Sequence, residues 1–443
     1  MKILVITSCF APKNVIGAVR ISKLVKYLVR EGNEITVISP VLEKYDGVDN
    51  SLECTEFSNV RRILVPYSRL TTFLTTKYMA NGNNRSSNNE HKAQKKSLKS
   101  SIIRGLRISF GKYRDNEWGR KAKKQVSRLG DTFDLVISSY PLETTHDVAL
   151  FAKSNGIVKT WVADFRDPMV LDTDHGRYRA KKSKRQSEIV KNADLVTFVL
   201  KNGQDTFVCY PKDRQKIRWI PNGFDEDDLG NLTDIGKTSC IEGKALRLVY
   251  TGGLYGGERD CTPLFKAVHE LIQEKVISGD DVVIHYAGRD GQIFIDQAAQ
   301  CGVMSVIKDH GVISRTESVE MQNSADCVIV ATTCYVDNGG AMTGKIFEPV
   351  MLRRPILLLV RGGGKDSEPG QFVKRLNAGC VYEESAEHGD VKKIKKMIIA
   401  MIDEKQTKGY VSSKMNEEER EEYNYKAIVS KLMNEVKNIE KQR

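Results

Sequence analysis

Several features that would have settled the class of this chain early are missing from it. No run of 18 or more apolar residues occurs, so no segment is long enough to cross a bilayer as a helix. The apolar run at the start, Ile3 to Thr7, is short. Pro12 and Lys13 follow where a secretory leader would place small residues, so a buried strand is expected there. The nine cysteines are odd in number and dispersed, and none forms a CxxC pair. Several fall in apolar, strand-like runs, which predicts reduced thiols in a cytoplasmic setting and no disulfide framework. The seven histidines share no metal-ligand spacing, so no metal is expected. Neither half opens with GxGxxG, and Ser39-Pro40 stands where a dinucleotide site would end its second strand with an acid. A nicotinamide-dependent oxidoreductase is thereby disfavoured.

What is present points to two domains. A single core stops growing beyond roughly 250–300 residues, and this chain has 443. With 40% hydrophobic and 28% charged residues, the composition is that of a soluble globular protein. The formal net charge of +12 is uneven. Residues 61–130 carry 18 Lys+Arg against 3 Asp+Glu, an excess that places all the net basicity in one region.

Strand, helix and strand alternate along both halves. Ile3 to Thr7, a helix with Ile21, Leu24, Val25 and Leu28 on one face, and Glu34 to Ser39 make a βαβ unit, hence a parallel sheet. Strands are predicted at 134–139, 161–168, 193–199 and 217–220, and again at 246–255, 282–289, 306–307, 327–331 and 355–360. The polar, acidic stretch from Asp225 to Lys244 reads as a linker. The fold class is therefore α/β, with domains at 1–228 and 244–400 and charged helices at 401–443. A basic insertion spans 69–128. In it the polar tract 81–89 reads as a loop. The flanks, with Leu70, Phe73, Leu74, Ile102, Ile103, Leu106, Ile108 and Phe110, read as a basic amphipathic surface. Such a surface suits anionic lipid, nucleic acid, or merely solvent.

The richest stretch is Gly339-Gly340-Ala341-Met342-Thr343-Gly344-Lys345-Ile346-Phe347-Glu348, between two apolar runs. Glycines and a threonine at a helix start leave N–H groups open to an anion. Lys345 adds a cation for phosphates, and Glu348 lies one turn on, placed for ribose hydroxyls. Read without its context, the same stretch is an ordinary Gly-rich loop with solvated charges.

Taken in order, the strand with Pro12, Gly17 and Arg20, then Trp161–Pro168, Ile220–Asp225, Tyr250-Thr251-Gly252-Gly253 and Thr343–Glu348 resemble glycosyltransferase family 4. The likeness is to the type found in bacterial capsule, exopolysaccharide and O-antigen assembly. It covers about 1–60 and 130–365 and fades elsewhere. The resemblance implies the GT-B fold, two Rossmann-like domains whose parallel sheets face across a cleft. The acceptor would sit on the N-terminal side, a UDP- or GDP-linked sugar on the C-terminal side, and helices after 401 would cross back. It also implies retention of anomeric configuration with neither cofactor nor metal, cations stabilising the departing diphosphate.

Carried over residue by residue, Lys345 and Arg259 would steady the leaving group. Gly252, Gly253, Thr343 and Gly344 would admit the diphosphate, Arg289 would reach phosphate or base, the Val312 backbone the base, and Glu348 the ribose. Gly17 would hold the first loop near donor or acceptor, although Ile16 stands where relatives often have a second glycine. His146 is either a cleft residue near the sugar or a histidine with no catalytic duty. Asp164, Arg166 and Asp167 either shape the acceptor side or form a structural ion-pair turn. The family's lysine shortly beyond Arg259 and its earlier glutamate are absent; Gly340 occupies the latter position, with Asp337 the nearest acid.

The resulting expectation is a hexosyltransferase, cytoplasmic and peripheral at the inner membrane face. It would transfer to a lipid-linked or other glycan and meet anionic membrane through 61–130. A sugar-nucleotide epimerase of the same fold, an NAD-dependent oxidoreductase and a basic nucleic-acid-binding protein are the rivals. No nucleic-acid partner is expected.

Overall fold

The computed structural model describes residues 1–44, 46–78, 98–170, 174–201, 207, 211–230, 232, 244–337 and 339–441. The tract 81–89 and most of the expected linker before Lys244 lie outside the described residues, as do the side chains of Ile102, Ile103, Leu106 and Ile108. The chain divides into two compact units, Met1–Pro221 with Val429–Arg443, and Asn222–Ile428.

The first unit holds a seven-stranded sheet of order β3-β2-β1-β4-β5-β6-β7. Its strands are β1 (Lys2–Ile6), β2 (Glu34–Pro40), β3 (Arg61–Val65), β4 (Phe133–Tyr140), β5 (Val158–Phe165), β6 (Leu195–Phe198) and β7 (Ile217–Trp219). Every pairing is parallel. Ile3, Leu4, Val5 and Ile6 have no exposed surface, as a central strand covered on both faces requires. The helices are α1 (Ile16–Arg30), α2 (Arg69–Tyr78), α3 (Leu98–Val126), α4 (Glu143–Ser154), α5 (Gly176–Asn192) and the short α6 (Pro211–Arg214).

The second unit repeats the plan with six parallel strands, order β10-β9-β8-β11-β12-β13. These are β8 (Leu246–Thr251), β9 (Val282–Ala287), β10 (Ile307–Asp309), β11 (Cys327–Thr333), β12 (Ile356–Arg361) and β13 (Gly379–Glu383). Its helices are α7 (Thr262–Gln273), α8 (Gly291–Gln300), α9 (Arg315–Asn323), α10 (Phe347–Met351), α11 (Glu368–Arg375), α12 (Glu384–Glu387), α13 (Lys392–Lys408) and α14 (Glu417–Glu421). The last helix, α15 (Tyr425–Lys441), starts in this unit and ends in the first. Within the first unit Glu435 accepts from Arg218 at 2.8 Å, and Lys431 lies over the Trp219 ring.

The divisions fall at 221/222 and 428/429, where the sequence suggested 228 and 401. Backbone pairing explains the shift. Phe224 N–H donates to the Tyr423 carbonyl and Tyr425 N–H to the Phe224 carbonyl, both 2.9 Å, which ties the 222–225 turn to the C-terminal segment.

Two readings of the basic region change. The end of α3 is core rather than amphipathic surface: Trp118, Ala122 and Val126, spaced at i, i+4 and i+8, are buried. Glu117 beside them accepts from Ser68 N–H at 2.7 Å and from the Ser68 and Thr71 hydroxyls, fastening the start of α2. Leu70 and Phe73 on α2 do stay exposed, at 62% and 61%. Nor is the basicity confined to 61–130. Helix α5 carries Arg177, Arg179, Lys181, Lys182, Lys184, Arg185 and Lys191 against Glu188 alone. It meets α3 where Lys112 and Lys182 both lie over the Tyr178 ring.

Among the described residues no helix is long and apolar enough to cross a membrane, and no group of His, Cys, Asp or Glu is placed to hold a metal ion.

Candidate functional site

In the second unit the strand order reverses between β8 and β11, and ligands of open parallel sheets bind outside the carboxyl ends of strands at such a point. The residues singled out from the sequence come from the loops there. After β8, Gly252 takes φ +125, a conformation that favours glycine. Its N–H donates to the Ala287 carbonyl at 2.7 Å, and its carbonyl accepts from Tyr286 Oη at 2.8 Å. After β9, a Cβ on Gly288 would lie 2.2 Å from the Gly252 oxygen, so both loops need glycine to interlock. Gly288 N–H in turn donates to the Gly311 carbonyl, which brings in the loop after β10; there Val312 is 78% exposed.

Lys345 comes from the loop after β11. Its Nζ donates to the Thr251 carbonyl at 2.7 Å, occupying the space beside Gly252 that any side chain would take. Thr343 caps the turn by accepting from Lys345 N–H. The helix expected to start beside Thr343 and Gly344 is short: a 3-10 turn, Gly344–Ile346, leads into the five residues of α10. So brief a helix has little dipole, and the site's positive field comes from side chains. Glu348 opens α10 and accepts from Gln322 Nε2 at 2.7 Å. Gln322 itself is buried.

Burial holds the Lys345 ammonium below its usual proton affinity; Glu348 works against this, while Arg259 and Arg289 add to it. Three cations therefore feel one another here. Arg259 lies with its guanidinium 4.3 Å from the Tyr255 ring centroid, and Arg289 with its own 5.9 Å away. Tyr250, Thr251, Arg259, Gln322, Thr343 and Lys345 line one pocket against β11. Gly253 packs near Asp290 and Arg289, leaving little room for a side chain. Asp337, the acid nearest the position of the absent glutamate, accepts from Lys365 N–H at 2.8 Å.

The first unit treats its candidates differently. Asp164, at the end of β5, has 2% of its surface exposed. It accepts from Arg20 Nη2 and Nε at 2.8 and 3.2 Å, from Thr197 Oγ1 at 2.7 Å and from Ser139 Oγ at 3.3 Å. Burial pushes its proton affinity up, but the Arg20 charge and these donors leave it lowered. Arg20 also donates to the Ile220 and Pro221 carbonyls, so the pair ties α1, β5 and the turn after β7. Asp164 therefore stands in a buried ion pair with Arg20. Arg166 and Asp167 remain nearer the surface, paired at 3.0 Å, and Gly17 is needed because a Cβ there would meet the Arg166 guanidinium and Cys9.

His146, for which the sequence left both a cleft position and a place with no catalytic duty open, is fully buried. The first turn of α4 points it inward, with no exposed surface, among Tyr140, Trp161 and Phe165. Its Nδ1 lies 2.7 Å from Ser138 Oγ, and burial pushes its pKa down to about 3, so the ring is neutral.

Sequence reading passed over Tyr255 and Gln322 and gave Arg20 no role. The signal for Arg20 was there: with Leu24 and Leu28 it forms an i, i+4, i+8 row, a charge on a buried face. For Tyr255 nothing in the sequence marks the ring as a platform.

No protein-family model matches this chain, and no curated protein sequence matches it. Solved structures do match, over nearly its whole length. The Anabaena protein Alr3699/HepE, crystallised in complex with UDP, is 13% identical with a TM-score of 0.60, covering 99% of this chain and 100% of that one. Sucrose-phosphate synthase (tll1590) from Thermosynechococcus elongatus is 12% identical with a TM-score of 0.62, covering 100% of both. The lipopolysaccharide outer core galactosyltransferase WaaB is 12% identical with a TM-score of 0.57, covering 99% of both. At such identities the likeness is one of fold, and that fold is GT-B: α/β, with two parallel sheets in series.

Proposed function

We propose that this chain is a retaining, metal-independent hexosyltransferase. It would move a sugar from a UDP- or GDP-linked donor to a hydroxyl of a lipid-linked or other glycan, in capsule, exopolysaccharide or O-antigen assembly. The observation that carries the reading is the gathering of Lys345, Arg259 and Arg289 beside Gly252 and Gly253 at the reversal point of the second sheet. Three cations around a glycine-lined loop suit a diphosphate, and Glu348, steadied by Gln322, suits ribose hydroxyls. That a fold-mate binds UDP and another is a galactosyltransferase supports the choice of donor and chemistry.

In the proposed reaction the bond between the anomeric carbon and the diphosphate oxygen breaks as the acceptor oxygen bonds to that carbon on the same face. The acceptor proton passes to the departing diphosphate. The cations lower the barrier by meeting charge as it develops on that oxygen. His146, buried and neutral, is given no step. Arg166 and Asp167 remain candidates for the acceptor side.

The basic faces of α3 and α5, with Leu70 and Phe73 exposed on α2, support a peripheral place on the anionic inner face of the cell membrane, the protein being cytoplasmic. The test of the donor site is a thermal-shift series without added metal against UDP, GDP, ADP and their common sugars, beside NAD and NADP. A ligand present at 100 times its Kd adds about 2.7 kcal/mol to apparent stability. One nucleoside diphosphate should raise the melting temperature, and Glu348→Ala should abolish the rise. A response to NAD alone would replace the transferase with an oxidoreductase.

A further inference from the structure

We infer that Tyr255 gathers Arg259 and Arg289 into a two-armed clamp for the donor's diphosphate, with Arg289 supplying the second cation from a separate strand. This rests on the donor reading above. Between Gly252 and Asp260 the loop after β8 holds only one cation of its own, Arg259.

Tyr255 has an unusual backbone. Its φ of +52 is left-handed, a region a bulky residue avoids unless held there. What holds it is Asp290, whose Oδ2 accepts from Leu254 N–H at 2.6 Å and Tyr255 N–H at 3.2 Å. Leu254 is right-handed and Tyr255 left-handed, so their N–H groups turn into one concavity around that oxygen. Tyr255 is thus held at its backbone and 49% exposed, with Arg259 and Arg289 over its ring. Each guanidinium is attracted to the ring face. Neither makes an ion pair with an acid among the described residues. Two like charges held on one ring without an acidic partner suit an anion with two phosphate groups better than one with a single group. A ring that stacked a nucleobase would not need both arginines on it.

Calorimetry with inorganic pyrophosphate, UDP, UMP and uridine, and with GDP and GMP in parallel, tests this on the full chain, after unliganded melting temperatures show each variant folded. Tyr255→Leu and Arg289→Gln should each weaken pyrophosphate and the tighter nucleoside diphosphate about tenfold, and leave the monophosphate within about twofold. Tyr255→Phe, which keeps the ring face, should bind like the wild type, and the double variant should be no worse than the weaker single one. The clamp is overturned if Tyr255→Leu binds pyrophosphate as the wild type does, if it loses uridine instead, or if the wild type binds no pyrophosphate. Pyrophosphate binding with this dependence, but no nucleoside diphosphate bound more tightly than pyrophosphate itself, keeps the clamp and removes the donor reading.

Discussion

The Lys345 ammonium stands in the place of a side chain that Gly252 does not have: a Cβ there would come within 1.5 Å of Nζ. The two residues meet from loops after different strands, and Gly252 adds a φ of +125 that other residues avoid. Gly252→Ala should therefore strain the backbone by roughly 1–3 kcal/mol and push the ammonium away. Melting without ligand should drop, and the shift caused by a nucleoside diphosphate should vanish. Lys345→Met separates the effects. It removes the charge without the strain, so binding should fall while unliganded stability changes little. A Gly252→Ala protein that bound as well as the wild type would show that the ammonium works from elsewhere.

Arg420 is the other residue on which the second unit depends. Fully buried, it donates to the Val350 and Met351 carbonyls at the end of α10 and to Glu226 at 2.8 Å, and lies over the Phe224 ring. Arg420→Ala orphans those carbonyls and should cost about 1–3 kcal/mol for each one left unsatisfied, read in urea denaturation. Arg420→Lys should recover only part of it, because an ammonium presents its donors from a single nitrogen where the guanidinium reaches the two carbonyls from two. Glu348 rides on the same helix, so nucleotide affinity should weaken in parallel. A loss of under about 1 kcal/mol would show the segment to be held by packing alone.

How much of this was legible follows from where each signal lay. Strands buried on both faces read as continuous apolar runs, and β1, β2, β4, β8, β9, β11 and β12 stood out. β3 and β13 did not: β3 is exposed or half-buried along Arg61–Leu64, and β13 begins with a glycine. The loops carrying Gly252, Arg289 and Lys345 were found because each follows such a strand. Charge was the poorer guide. In α3 the abundance of lysine and arginine hid the Trp118–Ala122–Val126 row, and counting one window left α5 unnoticed. Arg420 sits in an acidic run, Glu417 to Glu422, where a lone arginine looks like a solvated pair. Only tertiary structure reveals the carbonyls it serves.

Acid should destabilise the protein earlier than its carboxylates alone would cause. His146 and His285 have pKa values of about 3 and about 4, below the ordinary 6.5, burial being the largest cause in both. Arg247, His310 and Lys308 add to the shift at His285, whose Nδ1 lies 2.8 Å from His310 Nε2. The unfolded chain takes up these protons as pH falls below about 6.5, while the folded chain does not until about 4 and 3. Their stabilising contribution is thus complete above 6.5 and lost steadily below it. Asp164, lowered from 3.8, gives up its share only at lower pH still. Melting temperatures should fall between pH 6.5 and 4.5, and His146→Phe and His285→Gln should each flatten that slope. A wild-type profile flat across this window would mean that the rings are protonated in the fold.

The basic face of the first unit makes a prediction separable from the donor site. Lys112 on α3 and Lys182 on α5 share the Tyr178 ring, so the two helices present one positive surface; Leu70 and Phe73 on α2 of the same unit are also exposed. Near an anionic bilayer each lysine or arginine contributes on the order of 1 kcal/mol. The protein should sediment with vesicles containing phosphatidylserine and not with neutral ones. Binding should weaken as salt shrinks the screening length from about 10 Å at 0.1 M toward about 3 Å at 1 M. Reversing Arg177, Arg179 and Lys181 to glutamate, each exposed on α5, should cost at least about tenfold in vesicle affinity. Nucleotide-induced thermal shifts should be untouched, since α5 lies in a different unit from Lys345 and Arg259. Retention on single-stranded RNA with no affinity for anionic vesicles would instead assign this face to nucleic acid, because exposed rings among cations serve bases as well as headgroups.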